Sequence, residues 1–367
     1  MRRFGAIYLV LGTCVAAGLL GLPVTTAQNH LGMTALYILS AWALMTVGAI
    51  CLLEVTLWFP TGVNMITLAK NTLGHRIKWL TWCVYLLLLY SLICAYLAAG
   101  SDLLHAFCLR SGLLVSRPLA TVLLTGLVCG VLYIGMRAVD YVNRLLMSLK
   151  IIICVVILAA IVPFSHPTYL QAGDFHFRPA VYLAVISAFG YAIIIPSIRD
   201  YLGDDKRQLR QVVLIGSLVP VLLYLVWVSV IQMVLPREGA LGLLAMDHSE
   251  STNSLLAYAL VNVSNHGFIQ LFVVAFIALC SATGVLGVGL ALLDCLADGL
   301  PLAGGAYRRL LLLCCAFFPP MLIVLLKPSV FIMALSFAGL FCLYILIGLP
   351  IGMYWVGRKD YAEKSTN

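Results

Sequence analysis

The sequence predicts an all-α, polytopic membrane protein: one transmembrane domain, residues 1–367, whose first and sixth spans are interrupted. Three observations carry this. The chain is 63% hydrophobic and only 10% charged, whereas soluble domains carry roughly a quarter charged residues. No soluble core absorbs that much apolar side chain, so lipid must solvate most of the surface. Ten apolar runs have the length of about 20 residues that a helix needs to cross the hydrocarbon core. They are 4–28, 32–57, 79–102, 117–136, 143–163, 180–199, 211–235, 267–296, 308–326 and 329–355. Finally, Gly and Pro recur in the first and sixth runs, at matching places in the order of spans.

Each run must be helical, because hydrocarbon offers no partner for a free backbone N–H. The run 4–28 follows Met1-Arg2-Arg3 and precedes Thr25-Thr26-Ala27, which resembles a signal peptide with a weak cleavage site. Its apolar stretch is too long for a signal core, so it reads as a span. Residues 60–77 are too polar to cross and predict an interfacial segment with a short helix. Residues 240–265, with Asp247, His248, Ser249, Glu250 and Ser251, predict an outer loop over a vestibule.

Of the 22 Lys and Arg, all but Arg110, Arg117, Arg178, Arg237 and Lys327 fall on one side if the spans alternate. The positive-inside rule then puts both termini in the cytoplasm, with 356–367 as a cytoplasmic tail. The spans divide into two repeats, 4–163 and 180–355. Five spans per half is an odd number, so the second repeat is inverted relative to the first.

Composition also narrows function. A net charge of +8 reflects cationic loops beside anionic lipid rather than nucleic-acid binding. The 12 cysteines contain no CxxC pair and mostly lie in apolar runs, where a thiol behaves as a small hydrophobe. No HExxH motif, nucleophile–base set or intramembrane ligand cluster is present, so the sequence predicts no metal, no cofactor and no enzyme.

What remains is the pair of interruptions. Span 1 carries Gly12-Thr13-Cys14-Val15-Ala16-Ala17-Gly18-Leu19-Leu20-Gly21-Leu22-Pro23, and span 6 carries Phe189-Gly190-Tyr191-Ala192-Ile193-Ile194-Ile195-Pro196. Gly costs about 1 kcal/mol and Pro about 3 kcal/mol in a helix interior. One such helix reads as a kink; two in register point to a transporter site between half-helices. An unwound half-helix N-terminus suits a carboxylate, and freed carbonyls suit an ammonium. A zwitterionic amino acid offers both charges, so the site needs no charged side chain. The expected lining is Gly12, Thr13, Cys14, Ala16, Ala17, Gly18 and Leu19 from span 1, and Phe189, Gly190, Tyr191 and Ala192 from span 6. Tyr96, mid-span in the third helix, either faces the solute or packs with a local hydrogen bond. In the Cys280-Ser281-Ala282-Thr283-Gly284 patch, small residues signal close helix packing.

At these residues the chain resembles the aromatic amino acid permeases, the bacterial tyrosine and tryptophan proton symporters of the amino acid–polyamine–organocation superfamily. The likeness covers roughly 4–357. It is carried by Gly12–Pro23, Leu52-Leu53-Glu54-Val55, Ala95-Tyr96, Asn143–Ile151, Phe189-Gly190-Tyr191, Pro196-Ser197-Ile198, Asp294-Cys295-Leu296-Ala297-Asp298, Phe318-Pro319-Pro320 and Phe337-Ala338-Gly339. The resemblance, nearest to the tyrosine-specific members, implies a leucine-transporter-type 5+5 inverted repeat. It implies import of tyrosine, or of tryptophan or phenylalanine, with protons across the bacterial inner membrane.

The resemblance also implies an ion-coupling pair, Lys150 and Thr283. Lys150 matches a family lysine and would hold carbonyls of broken span 1 together with the Thr283 hydroxyl; its alternative is snorkelling to the surface. Glu54 matches a family position, and a packing or gate ion pair with Arg or Lys is its plainer reading. Three departures stand out. The family's His-Gly in span 6 is Ala192-Ile193 here, a motif glycine is Ala16, and an eleventh span is not seen. The first of these keeps open another neutral amino acid as cargo, by symport or exchange. A solute sensor is the reading from a different class.

Overall fold

The computed structural model describes residues 2–15, 17–134, 136–247, 249, 251–264, 267–299 and 306–361. Among these no strand forms, and a single parallel bridge joins Asn29 to Asp174. The helices in chain order are α1 (Arg2–Cys14), α2 (Ala17–Thr25), α3 (Leu31–Leu57), α4 (Met65–Leu73), α5 (His75–Arg110), α6 (Arg117–Ile134), α7 (Met136–Ile161), α8 (Pro179–Ser187), α9 (Ile195–Leu202), α10 (Lys206–Val234), α11 (Leu243–Asp247), α12 (Thr252–Ser264), α13 (Gly267–Gly299), α14 (Ala306–Leu326), α15 (Phe331–Cys342) and α16 (Leu349–Tyr361). Nine helical stretches among the described residues are long and apolar enough to cross a bilayer. The pair α1/α2, bent by 43° at its break, makes a tenth.

The second interruption is milder than the first. Between α8 and α9 the chain tightens into a 3-10 turn, Gly190–Ile194, and Pro196 stands in the first turn of α9, where a missing N–H costs nothing. The tenth span carries a π turn, Leu343–Gly348, between α15 and α16.

The polar segment 60–77 forms α4, which Asn64 caps by accepting the Thr67 N–H at 2.8 Å. Gly74 ends it at φ +92, a conformation that favours glycine. α5 overruns the expected span at both ends. Its 36 residues reach about 54 Å, well beyond a hydrocarbon core of about 30 Å. Trp79 and Trp82 lie edge to face near its start, with Lys78 over Trp79, the chemistry of a membrane interface.

α5 and α13 pack along one another at the centre. α15 lies against α5 and α7 against α13; α1 lies against α10 and α3 against α8. Backbones touch where glycine permits. A Cβ on Gly339 would stand 1.7 Å from the Leu183 carbonyl oxygen, and one on Gly48 would stand 1.9 Å from that of Leu346. Loop helices α11 and α12 mark one end of the bundle, and α4 the other.

Candidate functional site

α1 stops at Cys14 and α2 begins at Ala17. The Cys14 carbonyl accepts from the Tyr224 hydroxyl at 2.6 Å. The next carbonyl, Val15, accepts from the Lys150 ammonium. Lys150 is fully buried and also donates to Thr283 Oγ1 at 3.2 Å. Thr283 in turn donates to the Leu279 carbonyl at 2.8 Å, one helical turn back. That bond uses the hydroxyl proton and leaves a lone pair aimed at the lysine. Lys150 therefore reaches inward rather than snorkelling, and it bridges α7, α13 and the end of α1.

At the second interruption, Ala188 and Phe189 donate to the carbonyls three residues back, at 3.1 and 3.0 Å. This winds the chain more tightly than an α-helix. The Ala188 carbonyl meets the same Tyr224 hydroxyl at 2.9 Å. Phe189 rests edge to face on the Tyr224 ring, centroids 5.2 Å apart. The Tyr191 hydroxyl is 2.8 Å from Thr46 Oγ1 on α3.

Beside both interruptions lies a cavity of about 510 Å³, within the size range of small-molecule sites. Gly12 and Thr13 of α1 line it, as do Gly190, Ile193 and Ile194 of the 3-10 turn. Tyr85, Leu88, Leu89, Leu92 and Tyr96 of α5, Met147 of α7, and Thr283, Gly284, Gly287 and Val288 of α13 also line it, with Ser187 of α8, Pro196 and Ser197 of α9, and Cys342 and Leu346 of the tenth span. It continues to Asn64–Ile66 at α4 and to Asp294 and Cys295 near the end of α13; none of its lining comes from α11 or α12.

The expected site residues thus divide. Gly12, Thr13, Tyr96, Gly190 and Thr283 line the cavity. Cys14 is buried outside the lining, its carbonyl held by Tyr224. Leu19, Phe189, Tyr191 and Ala192 are buried in packing and not among the lining. Ala17 and Gly18 open α2, and Ala16 lies outside the described residues. Tyr96 earns its place through Gly284. A Cβ there would stand 2.1 Å from the ring, so only glycine lets the ring lie flat on α13.

Sequence reasoning missed Tyr224, Met147 and Tyr85. Tyr224 did carry a signal, a lone hydroxyl among Val221, Leu222, Leu223 and Leu225. Met147 is tied to Gly12, where a Cβ would meet its methyl carbon at 2.7 Å.

The α12 end is tied shut by polar contacts. Asp102 is buried and caps the start of α12, accepting the Ser254 N–H at 2.9 Å and its hydroxyl at 2.8 Å. Arg237 donates to the Gln28 carbonyl, and Asp174 holds the N–H of His30 on its own carbonyl at 2.8 Å. The Arg178 guanidinium grips the Asp174 carboxylate at 2.6 and 2.7 Å and holds it well below the usual carboxylate range. At the α4 end Glu54 pairs with Lys206 at 2.6 Å and Arg210 at 2.5 Å. Arg199 joins Asp204 at 2.7 Å and donates to the carbonyls of Thr56 and Phe59. His248 and Glu250 of the loop lie outside the described residues.

A many-spanned helical bundle with a cavity at two interrupted spans defines a membrane transporter rather than an enzyme. The chain matches the tryptophan/tyrosine permease family over residues 1–366 and belongs to it. It is 29% identical to tyrosine-specific transport system 1 of Haemophilus influenzae, over 99% of this chain and 90% of that protein. It is 27% identical to a tryptophan-specific transport protein of Pseudomonas aeruginosa, over 98% and 87%. It is 25% identical to glutamine transporter 2 of Aliivibrio fischeri, over 99% and 91%.

Proposed function

We propose that this permease imports an aromatic amino acid, tyrosine first, by proton symport across the bacterial inner membrane. The observation that carries the reading is the cavity itself: apolar and aromatic walls beside two freed helix ends, with a buried ammonium on the Val15 carbonyl. Freed carbonyls suit the solute's ammonium, half-helix N-termini suit its carboxylate, and Tyr85, Tyr96, Leu88 and Ile194 suit a ring. The tyrosine- and tryptophan-transporting relatives point the same way.

The two halves form a leucine-transporter-type inverted repeat in this reading. Its support is the paired packing: α1 on α10 mirrors α8 on α3, and α5 on α15 mirrors α13 on α7. With both termini cytoplasmic, the α4 end faces inward and the cavity drains to the cytoplasm, so this conformation is inward-facing. Lys150 is the coupling group. It satisfies the Val15 carbonyl as an ammonium in this conformation and releases its proton once water entering from the α4 end reaches it.

The test is uptake of a panel of labelled amino acids into proteoliposomes, with and without a proton gradient. Tyrosine should lead and should accumulate only with the gradient. Lys150→Ala should abolish gradient-driven accumulation while solute binding survives. Unchanged gradient-driven uptake in a folded Lys150→Ala variant refutes the coupling, and alanine or lysine outcompeting tyrosine refutes the cargo. A second reading, glutamine or another neutral amino acid, is favoured by Ala192-Ile193 in place of a titratable group and by the glutamine-transporting relative; the same panel decides it.

A further inference from the structure

Tyr224 is fully buried in the middle of α10 and is not among the residues lining the cavity. Its hydroxyl stands 2.6 Å from the Cys14 carbonyl and 2.9 Å from the Ala188 carbonyl. These carbonyls belong to different spans, 174 residues apart in sequence, and each stands where the α-helical ladder of its span stops. A phenol owns one proton and serves one of them at a time. Both interruptions therefore meet on a single hydrogen.

We propose that Tyr224 is a positioning residue of the transport site: its hydroxyl ties both helix interruptions to α10 and to each other. The inference rests on the reading of the interruptions as the solute site. Two further contacts support it. Phe189, itself in the second interruption, holds the Tyr224 ring edge to face and so aims the hydroxyl. The carbonyl next to Cys14, that of Val15, is held by Lys150 from α7. Consecutive carbonyls at the end of α1 are thus claimed by different helices, α10 and α7. The Tyr224 bond ties the end of α1 to α8 and α10.

The discriminating variant is Tyr224→Phe, which keeps the ring and removes only the hydroxyl. In the purified full chain, amide hydrogen exchange should quicken at least about fivefold in peptides over both interruptions and stay unchanged in α14. A change at one interruption alone, or at neither, overturns the proposal. In proteoliposomes the KM of the best substrate should rise about tenfold, the effect of one lost hydrogen bond, with the maximal rate within about twofold. A fall in rate at constant KM, as for simple loss of folded protein, also overturns it.

If the wild-type chain takes up no amino acid, the transport-site reading fails, and the exchange experiment still decides the role of Tyr224. If Tyr224→Phe does not fold, 3-fluorotyrosine at 224 preserves shape and strengthens the donor. It should slow exchange at both interruptions; unchanged or faster exchange there refutes the bridge.

Discussion

Replacing Gly284 by alanine places a methyl carbon inside the space now filled by the Tyr96 ring. Three ring atoms would lie 2.1, 2.3 and 2.5 Å from it, whereas ordinary contact begins near 3.4 Å. The ring must retreat by about 1 Å or more. α5 and α13 are packed along their length, and one face of Tyr96 borders the cavity, so the open direction is into the solute space. Overpacking of this kind costs about 1–3 kcal/mol, which corresponds to about a 5- to 150-fold loss of affinity if it falls on binding. The assay is the uptake KM of Gly284→Ala in proteoliposomes, with thermal stability in detergent as a control on folding. Adding Tyr96→Ala removes the clashing ring, so the double variant should recover part of the loss, a non-additivity expected of touching residues. A KM within about twofold of wild type, or strictly additive effects, refutes the claim that Gly284 exists to seat Tyr96.

The remaining predictions concern the cavity and the two ends of the bundle. Gly287 lines the cavity with open space where a Cβ would project; Gly287→Leu should abolish uptake while the melting temperature stays within a few degrees, and normal uptake would show that the solute does not pass there. Arg199→Met should lower stability by about 2–3 kcal/mol, because the Thr56 and Phe59 carbonyls lose a charged donor, and Arg199→Lys should not restore it, since an ammonium lacks the fork that spans those partners; full rescue by lysine in a melting assay would contradict this. The depressed Asp174 carboxyl stabilises the loop at pH above its ordinary value of 3.8, and the contribution disappears as pH falls through its lower folded value. Limited proteolysis at 165–178 should therefore quicken only in strong acid, whereas Asp174→Asn should be cut quickly at every pH; an acid transition centred well above pH 4 would be inconsistent.

Spans were legible because hydrocarbon forbids unpaired backbone, so any long apolar run has one solution. The interruptions were legible because Gly and Pro are expensive in a helix interior. Which side chains face the cavity was not legible from the same letters. Facing is computed from an even rotation per residue, and that fails where α8 gives way to a 3-10 turn, which winds with fewer residues per turn. Gly190 accordingly opens on the cavity, while neighbouring Tyr191 turns away to Thr46. Tyr224 was visible as an isolated hydroxyl, but its acceptor on Cys14 lies 210 residues away, a distance no local pattern spans. Small residues in the Cys280–Gly284 patch signal close helix packing in the sequence; that its last residue lies against the Tyr96 ring needed three dimensions.

The π turn at Leu343–Gly348 acts as a phase shifter in the tenth span. An α-helix turns by about 100° per residue, and the wider turn takes up one extra residue in the same rotation, so the sequence positions that face inward beyond it are shifted by one. Upstream, Ala338 and Cys342 are buried; downstream, Met353 is buried while Trp355 and Val356 look outward. Deleting one residue within 343–348 should let the segment relax into a plain α-helix while α16 keeps its faces, whereas closing the turn with every residue retained would rotate α16 as a block by about 100° and carry Met353 off its buried face. A relative without the extra residue can therefore present the same α16 faces to the bundle.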